Sequence, residues 1–166
     1  MRPNVLEKRP GRLFAASMLA LVAAVAGVGS SAGAGVDAPA AGDAQRDAAT
    51  LTVRSTRFGR ILFDSRGLAL YAFTRDKRGG RSQCYGACAK AWPVYFASGR
   101  LRAGAGARQS LIGTTRRRDG RVQLTYNGWA LYYYVGDKKP GQVSCQNVDE
   151  FGGTWLVVRP SGQLVR

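Results

Sequence analysis

RGLALYAFTRDKRGGRSQC at 66–84 aligns without a gap on NGWALYYYVGDKKPGQVSC at 127–145, an offset of 61 residues. Extended back to Gly59-Arg60 and Gly120-Arg121, the two segments agree at ten of 26 positions. The shared residues are Gly59/Gly120, Arg60/Arg121, Gly67/Gly128, Ala69/Ala130, Leu70/Leu131, Tyr71/Tyr132, Asp76/Asp137, Lys77/Lys138, Gly80/Gly141 and Cys84/Cys145. Identity at a fixed spacing over this length marks a tandem duplication, in which each copy needs the other to bury its core face.

The period inside each copy is that of strands. Asp119-Gly120 and Asn127-Gly128 are two-residue hairpin signals, because Asn, Asp and Gly tolerate the positive φ of a type I′ turn. They bracket RVQLTY (121–126) and introduce WALYYYV (129–135), with another strand before them at 111–115. The first copy repeats the plan at 51–57, 60–64 and 68–74, with turns at Gly59 and Ser65-Arg66-Gly67. In LALYAF and WALYYYV both alternating faces are apolar, so each predicts an interior strand covered on both sides. A later strand follows in each copy, at 92–97 and 154–159, with Trp92 and Trp155 in corresponding places.

The predicted fold is therefore all-β. Two repeats, 51–97 and 111–159, each form an antiparallel meander of three to four strands, packed as a pseudo-symmetric sandwich or barrel in one domain over 51–166. YGACAKA (85–91) is the one stretch suited to a helical turn, and 98–109 reads as an exposed connection between the repeats.

The N-terminus reads as a leader. Arg2, Lys8, Arg9 and Arg12 precede an apolar run over 13–29 and a small-residue Ala-x-Ala site ending at Ala34. This is the pattern of a secretory signal peptide (1–34), with a membrane-anchoring helix as the alternative. The polar, aperiodic 35–50 reads as a linker. Without the leader the chain carries 21 Lys and Arg against 9 acids, and 17 of those bases are Arg. Export removes nucleic acid from the expected partners. It leaves anionic cell-envelope polymer or lipid headgroups, or a basic surface with no dedicated partner.

The whole chain has no histidine, which excludes Ser-His-Asp triads, Cys-His dyads and His-ligated metals. No ligand loop for calcium is present either, so no metal or cofactor is expected. In an exported chain three cysteines imply one disulfide and one thiol left over. Cys84 and Cys88, spaced C-x3-C, lie within bridging range on a tight turn; a bridge from Cys145 to either one is the open alternative. A redox role for Cys84/Cys88 is the sharper reading, although C-x3-C is not the thioredoxin spacing. Arg116-Arg117-Arg118, beside the Asp119-Gly120 tip, is expected to be exposed, as a solvated turn or the centre of an anion-binding patch.

Tyr71-Ala72-Phe73-Thr74-Arg75-Asp76 and Tyr132-Tyr133-Tyr134-Val135-Gly136-Asp137 both fit Y-x-[FWY]-x-x-D. With CYGACAKAWP (84–93), YNGWALYY (126–133), GDKKPG (136–141) and FGGTW (151–155), they resemble the bacterial secreted repeat of unknown function, found in tandem in lipoproteins and secreted proteins. The resemblance spans about 51–166 and implies export and duplication, with no established activity. It also implies a protein that is released or only loosely surface-associated, not lipid-anchored, because the anchoring Cys of many relatives is missing here. Some relatives are associated with growth on alkanes.

Two roles are open for Tyr71, Phe73, Asp76, Tyr132, Tyr134 and Asp137. In one, the aromatics fill the core and each Asp fixes a turn. In the other, Tyr hydroxyl and carboxylate line a ligand groove. The sequence is best read as a secreted, non-enzymatic binding or structural module. The rival is an exported accessory protein using Tyr71/Asp76 and Tyr132/Asp137, or Cys84/Cys88, as its chemistry; convergence of the two Tyr/Asp pairs on one cleft would favour it.

Overall fold

The structure is a computed structural model that describes residues 50–166. The expected leader and all but the last residue of the expected linker lie outside the described residues.

Each repeat opens with an antiparallel hairpin: β1 (Leu51–Thr56) with β2 (Gly59–Asp64), and β4 (Ile112–Arg116) with β5 (Val122–Tyr126). The chain then turns back as β3 (Tyr71–Phe73) in the first repeat and β6 (Trp129–Ala130) in the second. A short helix, α1 (Ala87–Ala91), lies in the predicted place, and β7 (Val148–Glu150) and β8 (Gly153–Val157) follow. The sheets are ordered β1-β2, β3-β8-β7 and β4-β5-β6, all antiparallel, with no closed barrel among them.

The last strand of each repeat is built into the other repeat. β8 pairs with β3, and Leu62 of β2 donates its N–H to Val158 O just beyond β8. Reciprocally, the end of the first repeat crosses to the second: Val94 bridges Tyr132, Phe96 bridges Gln123, and Leu124 donates its N–H to Tyr95 O. Tyr71 and Tyr132 sit where the two halves meet. Each donates its N–H to the other's carbonyl at 2.9 Å, so the local two-fold passes between them. The expected strand at 92–97 is present in this form, as paired extended backbone.

The doubly apolar reading of LALYAF is realised as two core layers. Ala69, Tyr71 and Phe73 face one buried cluster, with Ile61, Phe63, Trp92, Tyr132 and Trp155; Leu70 and Ala72 face a second, with Leu62, Leu124, Tyr126, Leu131 and Val158. The first is mostly aromatic. Trp92 and Trp155 stack at 3.9 Å between ring centres; Phe73 stacks on Trp155 at 4.2 Å and Tyr134 lies on Trp92 at 4.8 Å. Tyr71 meets Trp92 edge-on at 5.3 Å, and Tyr132 meets Trp155 edge-on at 5.2 Å, as the two-fold requires. Such pairs contribute about 0.5–1.5 kcal/mol each beyond their buried area.

Three local expectations are corrected. Of the two predicted hairpin signals, Asn127-Gly128 makes the type I′ turn, with φ of 50° and 78°. At the other tip Gly120 alone has positive φ, at 81°, and Arg117 and Arg121 close a three-residue loop, 118–120. The matching loop of the first repeat, between Thr56 and Gly59, is one residue shorter, while 65–67 is one residue longer than Asn127-Gly128. The two differences cancel, so the gapless alignment hides them. In β2 and β5 the true equivalents are therefore 62 apart: Leu70 donates to Leu62 O, and Leu131 donates to Leu124 O. Finally, 98–109 is more than an exposed connection. Ala103 bridges Leu51, Gly104 donates to Leu51 O, and Leu101 and Ala107 pack on the second cluster. Thr50, counted with the linker, is held by backbone bonding to Arg102 and by the Tyr95 hydroxyl, which donates to its carbonyl.

Candidate functional site

The motif residues do not pair within their own motifs. Tyr71 donates its hydroxyl to Asp137 at 2.6 Å, and Tyr132 donates to Asp76 at 2.6 Å. Each tyrosine therefore reaches the aspartate of the other repeat. The cause is local. Tyr71 and Tyr132 lie on strands that cross at the two-fold, while Asp76 and Asp137 lie in the turns that carry the chain over to the opposite half. The second carboxylate oxygen of each aspartate fixes such a turn: Asp76 accepts from Gln83 N–H at 2.6 Å, and Asp137 from Ser144 N–H at 3.0 Å. Tyr71 and Tyr132 are fully buried, and Asp76 and Asp137 are 2% and 7% exposed. Phe73 and Tyr134 lie in the aromatic stack.

The electrostatics follow from burial. Desolvation first, then the facing carboxylate, push the Tyr71 and Tyr132 hydroxyls well above the ordinary phenol range. Desolvation also raises Asp76, against the opposing pull of Tyr132, the Gln83 N–H and the Arg117 cation. Both hydroxyls are held as hydrogen-bond donors, and proton transfer near neutral pH needs a pKa near 7.

The two clasps differ in their surroundings. Around Tyr132–Asp76 lies a polar network that the sequence reading missed. Arg117, expected to be exposed, is 3% exposed. Its guanidinium donates to Ser82 Oγ at 2.6 Å, Gln123 Oε1 at 2.7 Å and Cys84 O at 2.6 Å, and Ser82 Oγ also meets the Tyr132 hydroxyl at 2.7 Å. Arg117 is the inward residue at the hairpin end, which an alternation count along β4 could have found. The equivalent positions around Tyr71–Asp137 are Thr56, Ile61 and Val143, and no such network forms there.

Cys84 and Cys88 form the disulfide, with Cα atoms 5.2 Å apart, and Cys145 is a buried free thiol. Burial, Glu150 and Asp137 push that thiol up, and the Tyr134 hydroxyl pulls the other way. A raised thiol is a poor nucleophile. Glu150 also accepts from Trp92 Nε1 at 2.9 Å, a contact nothing in the sequence announced. No group of three or more acidic or Cys side chains able to hold a metal is found among the described residues.

Of the arginine triplet, Arg116 and Arg118 remain exposed. They belong to a lopsided surface. Between 50 and 166 the chain has 20 Lys and Arg, 17 of them exposed, against six acids, of which Asp64, Asp76 and Asp137 are buried. No helix among the described residues is long and apolar enough to cross a membrane.

Compared with known proteins, the chain matches the family model described as a secreted repeat of unknown function twice, over 52–95 and 113–159. No curated protein and no solved structure matches it. Each matched segment ends on the strand that it gives to the other.

Proposed function

We propose, from the premise that the chain belongs to the family of secreted repeats of unknown function, that it is a non-enzymatic exported module which associates with anionic material of the cell envelope. The observation that carries this reading is the surface charge. Among the described residues seventeen exposed bases face three exposed acids, and each of those acids already has a partner: Asp119 with Arg121, Asp149 with Thr154, Glu150 with Trp92. A field of one sign over most of a small domain raises the local concentration of polyanions.

The non-enzymatic part rests on how the reactive groups are used. The two Tyr/Asp pairs are committed to each other inside the core, where none of the four residues is more than 7% exposed. The rival redox reading lacks accessible sulfur, since Cys84 and Cys88 are 0% and 6% exposed.

Incubating the purified protein with isolated envelope fractions at rising ionic strength tests the proposal. Retention at low salt that falls steeply toward about 1 M, where the screening length drops to about 3 Å, is the expected result. No retention, or retention indifferent to salt, would overturn it.

A further inference from the structure

We propose that the tip of the β4–β5 hairpin is an oxyanion-binding site for a phosphate-bearing polymer, formed by Arg116 and Arg118 beside the ring of Tyr85. The inference rests on the reading of the domain as a polyanion-binding module and names the place on it.

The tip concentrates charge and leaves it uncompensated. Arg116, Arg117, Arg118 and Arg121 lie within six residues, with Asp119 the one acid among them. Asp119 is taken by Arg121, through Nε at 3.0 Å and Nη2 at 2.7 Å. Arg117 is sealed below the surface, with its Nε 4.0 Å from Asp119, and it contributes a fixed positive charge from beneath. Arg116 and Arg118 are left exposed, with no carboxylate partner among the described residues.

The tip is also ordered before any ligand arrives. Arg118 donates its backbone N–H to the Tyr85 hydroxyl at 3.0 Å, and its guanidinium lies 4.0 Å from the centre of the same ring. Arg117 holds that ring from its own position at 4.3 Å. Arg116 Nη1 donates to Gly120 O, which spans the loop at 2.9 Å. A guanidinium laid on an aromatic face keeps its edge donors free, and that planar fork matches phosphate oxygens two at a time. Side chains already held lose less entropy on binding.

A polymer fits better than a bilayer. Membrane attachment by a basic surface is strengthened by apolar side chains that enter the interface. The exposed large hydrophobics among the described residues are Val135 and Phe151, neither of them on this hairpin. The equivalent first-repeat tip offers an internal control: there Arg57 lies on Phe58, with no buried arginine beneath and no tyrosine hydroxyl tying the loop.

The test measures binding of the purified full chain to long-chain inorganic polyphosphate and to vesicles rich in phosphatidylglycerol. The variants are R116Q/R118Q, R54Q/R57Q with the same loss of charge, R116K/R118K, which keeps charge but removes the fork, and Y85F. The tip pair is expected to lose about tenfold more polyphosphate affinity than the control pair. R116K/R118K should keep the salt dependence while losing part of the affinity, and Y85F should weaken binding with its charge unchanged. Equal losses in the two Gln pairs would overturn the site and leave the general reading standing. Failure of the wild type to bind polyphosphate would overturn both, and tighter binding to the vesicles would overturn the polymer as occupant.

Discussion

Asp76 shows what the duplicated motif does with its most conspicuous polar residue. Its carboxylate accepts from Tyr132 and from Gln83 N–H in the core, beside the buried Arg117. Desolvation outweighs these partners and leaves its pKa above the ordinary Asp value. A carboxyl raised in the folded state binds its proton more tightly there than in the unfolded chain. Its contribution to stability is therefore full at pH below the ordinary Asp value and is lost as pH rises through the higher folded value. Urea unfolding of wild type and Asp76→Asn between neutral pH and the acid range reads this directly, because every other carboxylate is common to both proteins. The stability of wild type relative to the variant should grow as pH falls, and a difference that shrinks would contradict this account of the residue. The two chemical roles of Asp76, turn acceptor and partner of a tyrosine, were separately readable in the sequence. That the tyrosine would be Tyr132 and not Tyr71 was not, because it depends on where two strands cross.

Strands and turns were legible wherever the local pattern and the packing agree. LALYAF, apolar on both alternating faces, became a segment with one core cluster on each side, as its period requires. Asn127-Gly128 made its type I′ turn because both residues accept positive φ. Asp119-Gly120 did not, since Arg117 and Arg121 are drawn into one more ladder pair and leave three residues in the loop. The short WALYYYV strand is a similar case: Tyr132 spends its backbone on Tyr71 across the two-fold, so β6 ends at Ala130. The disulfide belongs to this scale as well. Cys84–Cys88 closes a loop of few residues on the segment that carries α1 and leads to Trp92. In the chain-entropy model so short a loop contributes about 2 kcal/mol. Replacing Cys84 and Cys88 together by Ser should lower the unfolding free energy by about that amount, and the unreduced wild type should show one alkylatable thiol, Cys145, on denaturation. Two further free thiols in the unreduced wild type would contradict the pairing.

At the scale of the molecule the repeat in the sequence is not the unit of the structure. Each copy carries its own hairpin and gives its final strand to the other, so the halves share hydrogen bonds, core and clasps. The sequence could place the duplication, because identity at a fixed offset is visible in one dimension. It could not place the exchange, because a strand given away and a strand kept have the same pattern. This exchange explains why Y-x4-D occurs in both copies: Tyr and Asp are two ends of a fastening that closes only when both repeats are present. Chemical denaturation of a double-mutant cycle tests that claim most directly, using Tyr71→Phe, Asp137→Asn and Asp76→Asn alone and in pairs. A buried hydrogen bond to a carboxylate is worth about 1.5–3 kcal/mol. Tyr71→Phe and Asp137→Asn should couple by about that much, whereas Tyr71→Phe and Asp76→Asn, within one motif, should add to within about 0.5 kcal/mol. Coupling inside the motif and additivity across the repeats would contradict the account.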